Sequence, residues 1–219
     1  MSTFPNSPRL LKGGIVLVDP STGALQRIIA LQYNPDSLTR SLQVQTVPGD
    51  TQDRAEALRL TGPPIETIKL DAEIDATDQL EFPDRNQATV QAGIFPQLAA
   101  LETIIYPTSR QLIANNNLAG QGTLEITPME APLTLFVWSS RRIVPVRFTD
   151  FSITEEAFDA FLNPIRAKVS LGMRVLSVND LGFEHKGGNL FLAYQQQKER
   201  LASLGPAGAF GALGITGIS

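Results

Sequence analysis

Two stretches of period-two alternation constrain this chain more than any other feature of it. In residues 165–176 the apolar series Ile165, Ala167, Val169, Leu171, Met173 and Val175 alternates with Arg166, Lys168, Ser170, Gly172, Arg174 and Leu176. In residues 68–75, Ile68, Leu70, Ala72 and Ile74 alternate with Lys69, Asp71, Glu73 and Asp75. Successive side chains of a strand point to opposite faces, so each run predicts a strand with one buried and one polar face. Two such strands require a mainly β fold packed on one side.

The flanking segments extend this reading. Gly13-Gly14 precedes the apolar run Ile15 to Val18, and Asp19-Pro20-Ser21-Thr22-Gly23 carries turn chemistry before a second apolar stretch over residues 25–33, which predicts a hairpin. Asn34-Pro35-Asp36 reads as a further turn, after which Leu38, Leu42 and Val44 mark a half-buried strand. Residues 132–138 and 143–153 flank the polar turn Ser139-Ser140-Arg141-Arg142 and predict another hairpin. In its second strand Val144, Val146 and Phe148 share one parity and Phe151 and Ile153 the other, so a bulge or bend is expected near Thr149-Asp150. Glu155, Glu156 and Asp159 read as an acidic loop.

Helical periodicity occurs in two places. Val90, Ile94, Leu98, Leu101 and Ile105 predict one flanking amphipathic helix that begins or kinks at Pro96. Residues 189–204 predict a C-terminal helix with Phe191, Tyr194 and Leu201 on one side. Residues 110–121, with Asn115-Asn116-Asn117, read as irregular. The expected organisation is an N-terminal arm over 1–13, one β-barrel domain over 14–180 with a long loop at 48–64, and a C-terminal helix with an uncharged apolar tail over 181–219.

Composition removes whole classes of chemistry. The absence of cysteine excludes disulfides, thiolate metal sites and cysteine nucleophiles. With 18 basic and 22 acidic residues, the formal charge of −4 gives no electrostatic reason to expect nucleic acid or an anionic membrane. The run Ile15 to Val18 is too short for a secretory signal or a membrane span, so synthesis and assembly are expected in the cytoplasm, without membrane insertion.

Candidate chemistry is sparse. The single histidine, His185, lies between Glu184 and Lys186 in a glycine-flanked segment and reads as a surface residue. Gly120-Gln121-Gly122 is followed by Glu125 where a dinucleotide fingerprint needs glycine. Asp71, Glu73, Asp75 and Asp78 form the densest carboxylate cluster but lack the register of a calcium loop, and read as a solvated strand face. No cofactor, metal or catalytic residue is expected. The acidic row Asp71, Glu73, Asp75 and the basic row Arg166, Lys168, Arg174 leave two readings open: cross-strand pairing, or docking of different faces between copies of the chain.

Three segments in order carry a family resemblance: residues 29–38, a strand followed by Asn34-Pro35-Asp36; the hairpin Leu133-Thr134-Leu135-Phe136-Val137-Trp138 with Ile143-Val144-Pro145-Val146-Arg147-Phe148; and the strand beginning Asn163-Pro164-Ile165-Arg166-Ala167-Lys168-Val169. Together they resemble the contractile injection system tube-like baseplate proteins, which join spike to inner tube. The resemblance implies a barrel of the phage tail-tube type with one flanking helix. It implies hexameric rings that seat the spike below and template the inner tube above, with spike, inner-tube and possible baseplate wedge proteins as partners; a phage tail-tube initiator and a monomeric β-sandwich ligand-binding module are the alternative readings. A LysM continuation, common in that family, has no counterpart after residue 180. Partner contacts are expected at the two charged rows, at Phe191 and Tyr194, at the 48–64 loop and at the C-terminal tail.

Overall fold

Both alternating runs become long strands. A computed structural model describes residues 10–46, 59–120, 131–205, 208 and 210–217. It contains β1 (Gly14–Val18), β2 (Leu25–Ala30), β3 (Thr39–Gln43), β4 (Ile65–Asp75), β5 (Leu133–Ser139), β6 (Arg142–Phe158) and β7 (Pro164–Val175). All pair antiparallel in one sheet of order β2-β1-β5-β6-β7-β4-β3. The fold is therefore mainly β.

One apolar cluster fills the concave side of this sheet. It takes Ile68, Leu70, Ala72 and Ile74 from β4, Ala167, Val169, Leu171, Met173 and Val175 from β7, and Ile15, Phe136, Val144 and Val146 from β1, β5 and β6. The bulge in β6 falls between Phe148 and Asp150. The extra residue switches parity, so that Phe148 and Phe151 both pack on the core and meet edge to face with ring centroids 6.0 Å apart. The sheet curls until the chain beyond β2 reaches the end of β4. There Gln32 closes the approach with its side-chain amide, Nε2 donating to the Asp75 carbonyl at 2.6 Å and Oε1 accepting from the Asp75 amide at 3.0 Å. A two-way exchange of this kind is what a neighbouring strand would supply. The strand order nonetheless ends in two edges, β2 and β3.

The helical segments depart from the sequence expectation in three ways. The single helix expected over 90–105 is split into α2 (Gln87–Ala92) and α3 (Phe95–Glu102), preceded by the short α1 (Thr77–Leu80). Gly93 makes the break with φ 56°, and a β-carbon there would lie 2.1 Å from the Pro164 carbonyl oxygen, so only glycine fits. Pro96 sits in the first turn of α3, where its missing N–H costs nothing. Ile94, Leu98, Leu101 and Ile104 are buried, whereas Val90 and Ile105 are not.

The segment read as irregular is instead α4 (Ser109–Gly120), with no residue buried. Its start is a capping box: Gln111 N donates to Thr108 Oγ1, and Thr108 N donates to Gln111 Oε1 at 3.0 Å. The acidic loop is also corrected, because β6 runs on through Glu155 and Glu156 to Phe158. After α5 (Val178–Leu181), α6 (Lys186–Ala202) begins three residues early because His185 caps it, Nδ1 accepting from Gly187 N. In the tail, Phe210–Leu213 forms a 3-10 turn, and the residues whose burial is described are exposed. Most of the 48–64 loop lies outside the described residues.

Candidate functional site

The two charged rows meet on one face. β4 and β7 are hydrogen-bonded neighbours whose register sets Asp71 opposite Ser170, Glu73 opposite Lys168 and Asp75 opposite Arg166. Arg166 Nε lies 2.7 Å from Asp75 Oδ2, Ser170 Oγ donates to Asp71 Oδ1 at 2.6 Å, and Lys168 Nζ lies 3.0 Å from Glu156 across β6. Arg174 pairs with Asp180 at 2.7 Å. The alternation that made each strand amphipathic also made them complementary, so most of this charge is satisfied within the chain.

Asp75 is held by several partners at once. Burial pushes its carboxyl up, but hydrogen bonds from the Thr77 side chain and backbone, together with Arg166, outweigh that and hold it below its ordinary value. A carboxyl so held is a poor proton donor, because a general acid needs the opposite shift.

Behind this face lies a cluster absent from the sequence reading. Glu66 shares the parity of Ile68, Leu70, Ala72 and Ile74 and is therefore carried inward, to 2% exposure. Its Oε1 accepts from Arg40 Nε at 2.7 Å and from the Tyr194 hydroxyl at 3.1 Å, while Arg40 also donates to that hydroxyl at 3.0 Å. Lys198 Nζ stands 3.8 Å from Glu66 Oε2 and 4.3 Å from the Tyr194 ring centroid. Burial, reinforced by Glu66, raises the Tyr194 hydroxyl, and burial lowers the Lys198 ammonium. The hydrogen bond to Glu66 raises the Arg40 guanidinium. Every member is engaged, so the cluster works as a clamp between β3, β4 and α6. A carboxylate on the apolar parity of a strand was the available signal.

Phe191 and Tyr194, expected as partner contacts, are placed by α6 in the chain's own core. The apolar surface lies elsewhere. At the β6–β7 tip Phe158, Phe161 and Leu162 are exposed, Phe161 at 85%. The turn beneath them is fixed: Asp159 Oδ1 accepts from Phe161 N at 2.7 Å and Asn163 N at 2.8 Å, Oδ2 accepts from Asn163 Nδ2 at 2.8 Å, and Asn163 Nδ2 reaches Gln91 O at 3.3 Å. Hydrogen bonding led by Asn163 lowers the Asp159 carboxyl. Leu162 is held there at φ 64°, a left-handed conformation costing a branched residue about 1–2 kcal/mol.

The two edge strands are equally bare. Leu25 and Ile28 on β2, and Leu42 with the adjoining Val44 on β3, are exposed. Each strand contains one charged residue, and each charge is turned away from the edge. Arg27 Nη1 donates to Ala100 O at 3.1 Å and Thr103 Oγ1 at 2.7 Å, and Arg40 points to Glu66.

No known protein family matches the chain, and no curated protein matches it. Among solved structures, the tail of an empty gene transfer agent particle with C6 symmetry is 12% identical, with 75% of this chain and 90% of that chain covered and a TM-score of 0.29. The virion of a native gene transfer agent particle is 11% identical, with 74% and 90% covered and a TM-score of 0.28. Likenesses at these scores carry no argument about shared architecture or role.

Proposed function

We propose that this chain is a structural ring subunit of a phage-tail-like contractile injection machine, joining the spike to the inner tube and templating tube assembly. The observation that carries the reading is an open antiparallel sheet whose two edges, β2 and β3, expose Leu25, Ile28 and Leu42 and hold their single arginines in contacts within the subunit. Natural sheets protect exposed edges with charges, prolines or covering elements, because an unpaired edge is a template for another chain. Arg27 and Arg40 could serve as such guards, yet each is tied into its own subunit. Pairing β2 of one copy with β3 of the next is a heterologous contact, and heterologous contacts close into rings when their rotation permits.

The three sequence segments that resemble the tube-like baseplate proteins support the same reading. The Asn34 turn follows β2, the Trp138 strand is β5, and the Pro164 strand is β7. The hexameric stoichiometry, the spike, inner-tube and wedge partners, and incorporation into the particle come from that resemblance, and cytoplasmic assembly comes from the shortness of the apolar run at Ile15 to Val18.

The test is to purify the chain with the spike and inner-tube proteins of its own particle and examine the mixture by negative-stain electron microscopy. Rings that cap the spike and seed tube growth are expected. A chain that stays monomeric and binds neither neighbour refutes the proposal.

A further inference from the structure

The β6–β7 tip and a groove on the opposite part of β6 have matching chemistry. The tip offers Phe161 and Leu162 on a turn locked by Asp159 and Asn163, with the exposed Glu155 four residues before Asp159 on the β6 arm that carries it. The groove has a volume of 420 Å³, is walled chiefly by apolar side chains including Ile105, Leu133, Phe148 and Leu176, and has Arg147 as its one permanently charged lining residue. Neither Glu155 nor Arg147 has an ion-pair partner among the described residues. Phe148 and Phe158 are ten residues apart on β6, about 30 Å at the strand rise. The tip therefore cannot reach its own groove.

We infer that the groove receives the Phe161–Leu162 tip of a second copy of this chain, with Glu155 of the tip against Arg147 of the groove. Three observations select this occupant. The tip is pre-ordered and keeps an exposed leucine in a conformation that glycine would adopt freely, which turns an unfavourable backbone into a rigid apolar display. The groove is large enough for a phenyl ring and an isobutyl group together. The single charge on its lining has the sign opposite to the free charge at the tip. The contact is heterologous, since knob and groove lie far apart on one molecule. It rests on the reading of this chain as a self-assembling subunit, but uses a surface separate from the β2 and β3 edges.

Cross-linking tests it directly, because the chain has no cysteine. Leu162→Cys combined with Ile105→Cys should give, on mild oxidation, a ladder of covalent oligomers. Leu162→Cys combined with Leu204→Cys, at the exposed end of α6, should not. Arg147→Glu should weaken self-association at least ten-fold by sedimentation velocity, and adding Glu155→Arg should restore most of it. Leu162→Gly should weaken association while leaving the melting temperature unchanged or higher, a pairing of effects that a purely structural leucine cannot produce. Oligomers that form without the Leu162–Ile105 ladder overturn this contact and leave the ring subunit standing. A chain that is monomeric at every concentration removes this contact, and the ring subunit falls with it only if the chain also binds neither the spike nor the inner-tube protein.

Discussion

Replacing Glu66 with alanine tests the clamp beneath the sheet. The variant leaves the Arg40 guanidinium and the Tyr194 hydroxyl facing a void, and removes the only carboxylate near Lys198 among the described ion pairs. Stripping one partner from a fully buried ion pair costs about 3–5 kcal/mol. Here the carboxylate is 3% exposed but the Arg40 and Lys198 side chains are 27% and 32% exposed, so both cations can regain water. The expected loss is therefore smaller, about 2–3 kcal/mol after that discount. At about 2–4 °C per kcal/mol for a chain of this size, the melting temperature should fall by about 5–10 °C in differential scanning calorimetry.

Glu66→Gln keeps an acceptor for Arg40 and Tyr194 and should lose about 1 kcal/mol. Arg40→Met should cost less once Glu66→Ala is present than alone, because the ion pair is already gone and only the hydrogen bond to the Tyr194 hydroxyl remains to be lost. Limited proteolysis should cut within α6 of Glu66→Ala, since the clamp and the core contacts of Phe191 and Tyr194 together hold that helix down. A melting temperature within 2 °C of wild type, on the order of 0.5 kcal/mol, or single costs that simply add in the double variant, would refute the argument.

Acid unfolding should report Asp75. Its folded-state carboxyl is lowered, so its contribution is present above the ordinary carboxylate range and is lost as pH falls through the lowered value; Asp75→Asn should flatten that limb of a stability profile read by urea denaturation. Gly93→Ala should lower stability by about 3 kcal/mol or more, because both the positive φ and the Pro164 carbonyl oppose a β-carbon, and a variant melting within 2 °C of wild type would contradict this. Asn34→Ala removes the acceptor for Gly13 N and the donor to Leu11 O, and should cost about 1–2 kcal/mol while opening the chain near residue 12 to protease; resistance equal to wild type would contradict it.

Much of the sheet was legible in the sequence because the period of a strand and the parity of its residues are local properties. The bulge at Thr149-Asp150 could be placed from the change of parity between Phe148 and Phe151 alone. The failures have equally local causes. The split between α2 and α3 arises from a carbonyl oxygen of Pro164, 71 residues from Gly93 in the chain, which no helical periodicity can reveal. The Asn-rich stretch at 115–117 has low helical preference, and it hides a helix whose start is set by the Thr108–Gln111 capping box. Glu66 was overlooked because charge was read only on the polar parity. The charged rows of β4 and β7 were both visible, but that they face each other depends on strand order, which alternation does not encode. The tip and groove needed exposures that appear only once β6 is seen to continue through Phe158.

The extra residue at Thr149, the first of the irregularities in β6, also governs how this chain can vary over evolutionary time. Before the bulge the strand is in one phase and after it in the other, so the distal arm of the hairpin is read in a shifted frame. Losing one residue at the bulge would restore the frame and turn Phe151 and Ile153 outward, converting an anchored arm into one with its oily side to water. Insertions at the far tip carry no such penalty, since nothing beyond it depends on the phase. Length variation among relatives should therefore accumulate at residues 159–163 and be nearly absent at 148–150, and the tip can be remodelled for a new partner without disturbing the sheet that carries it.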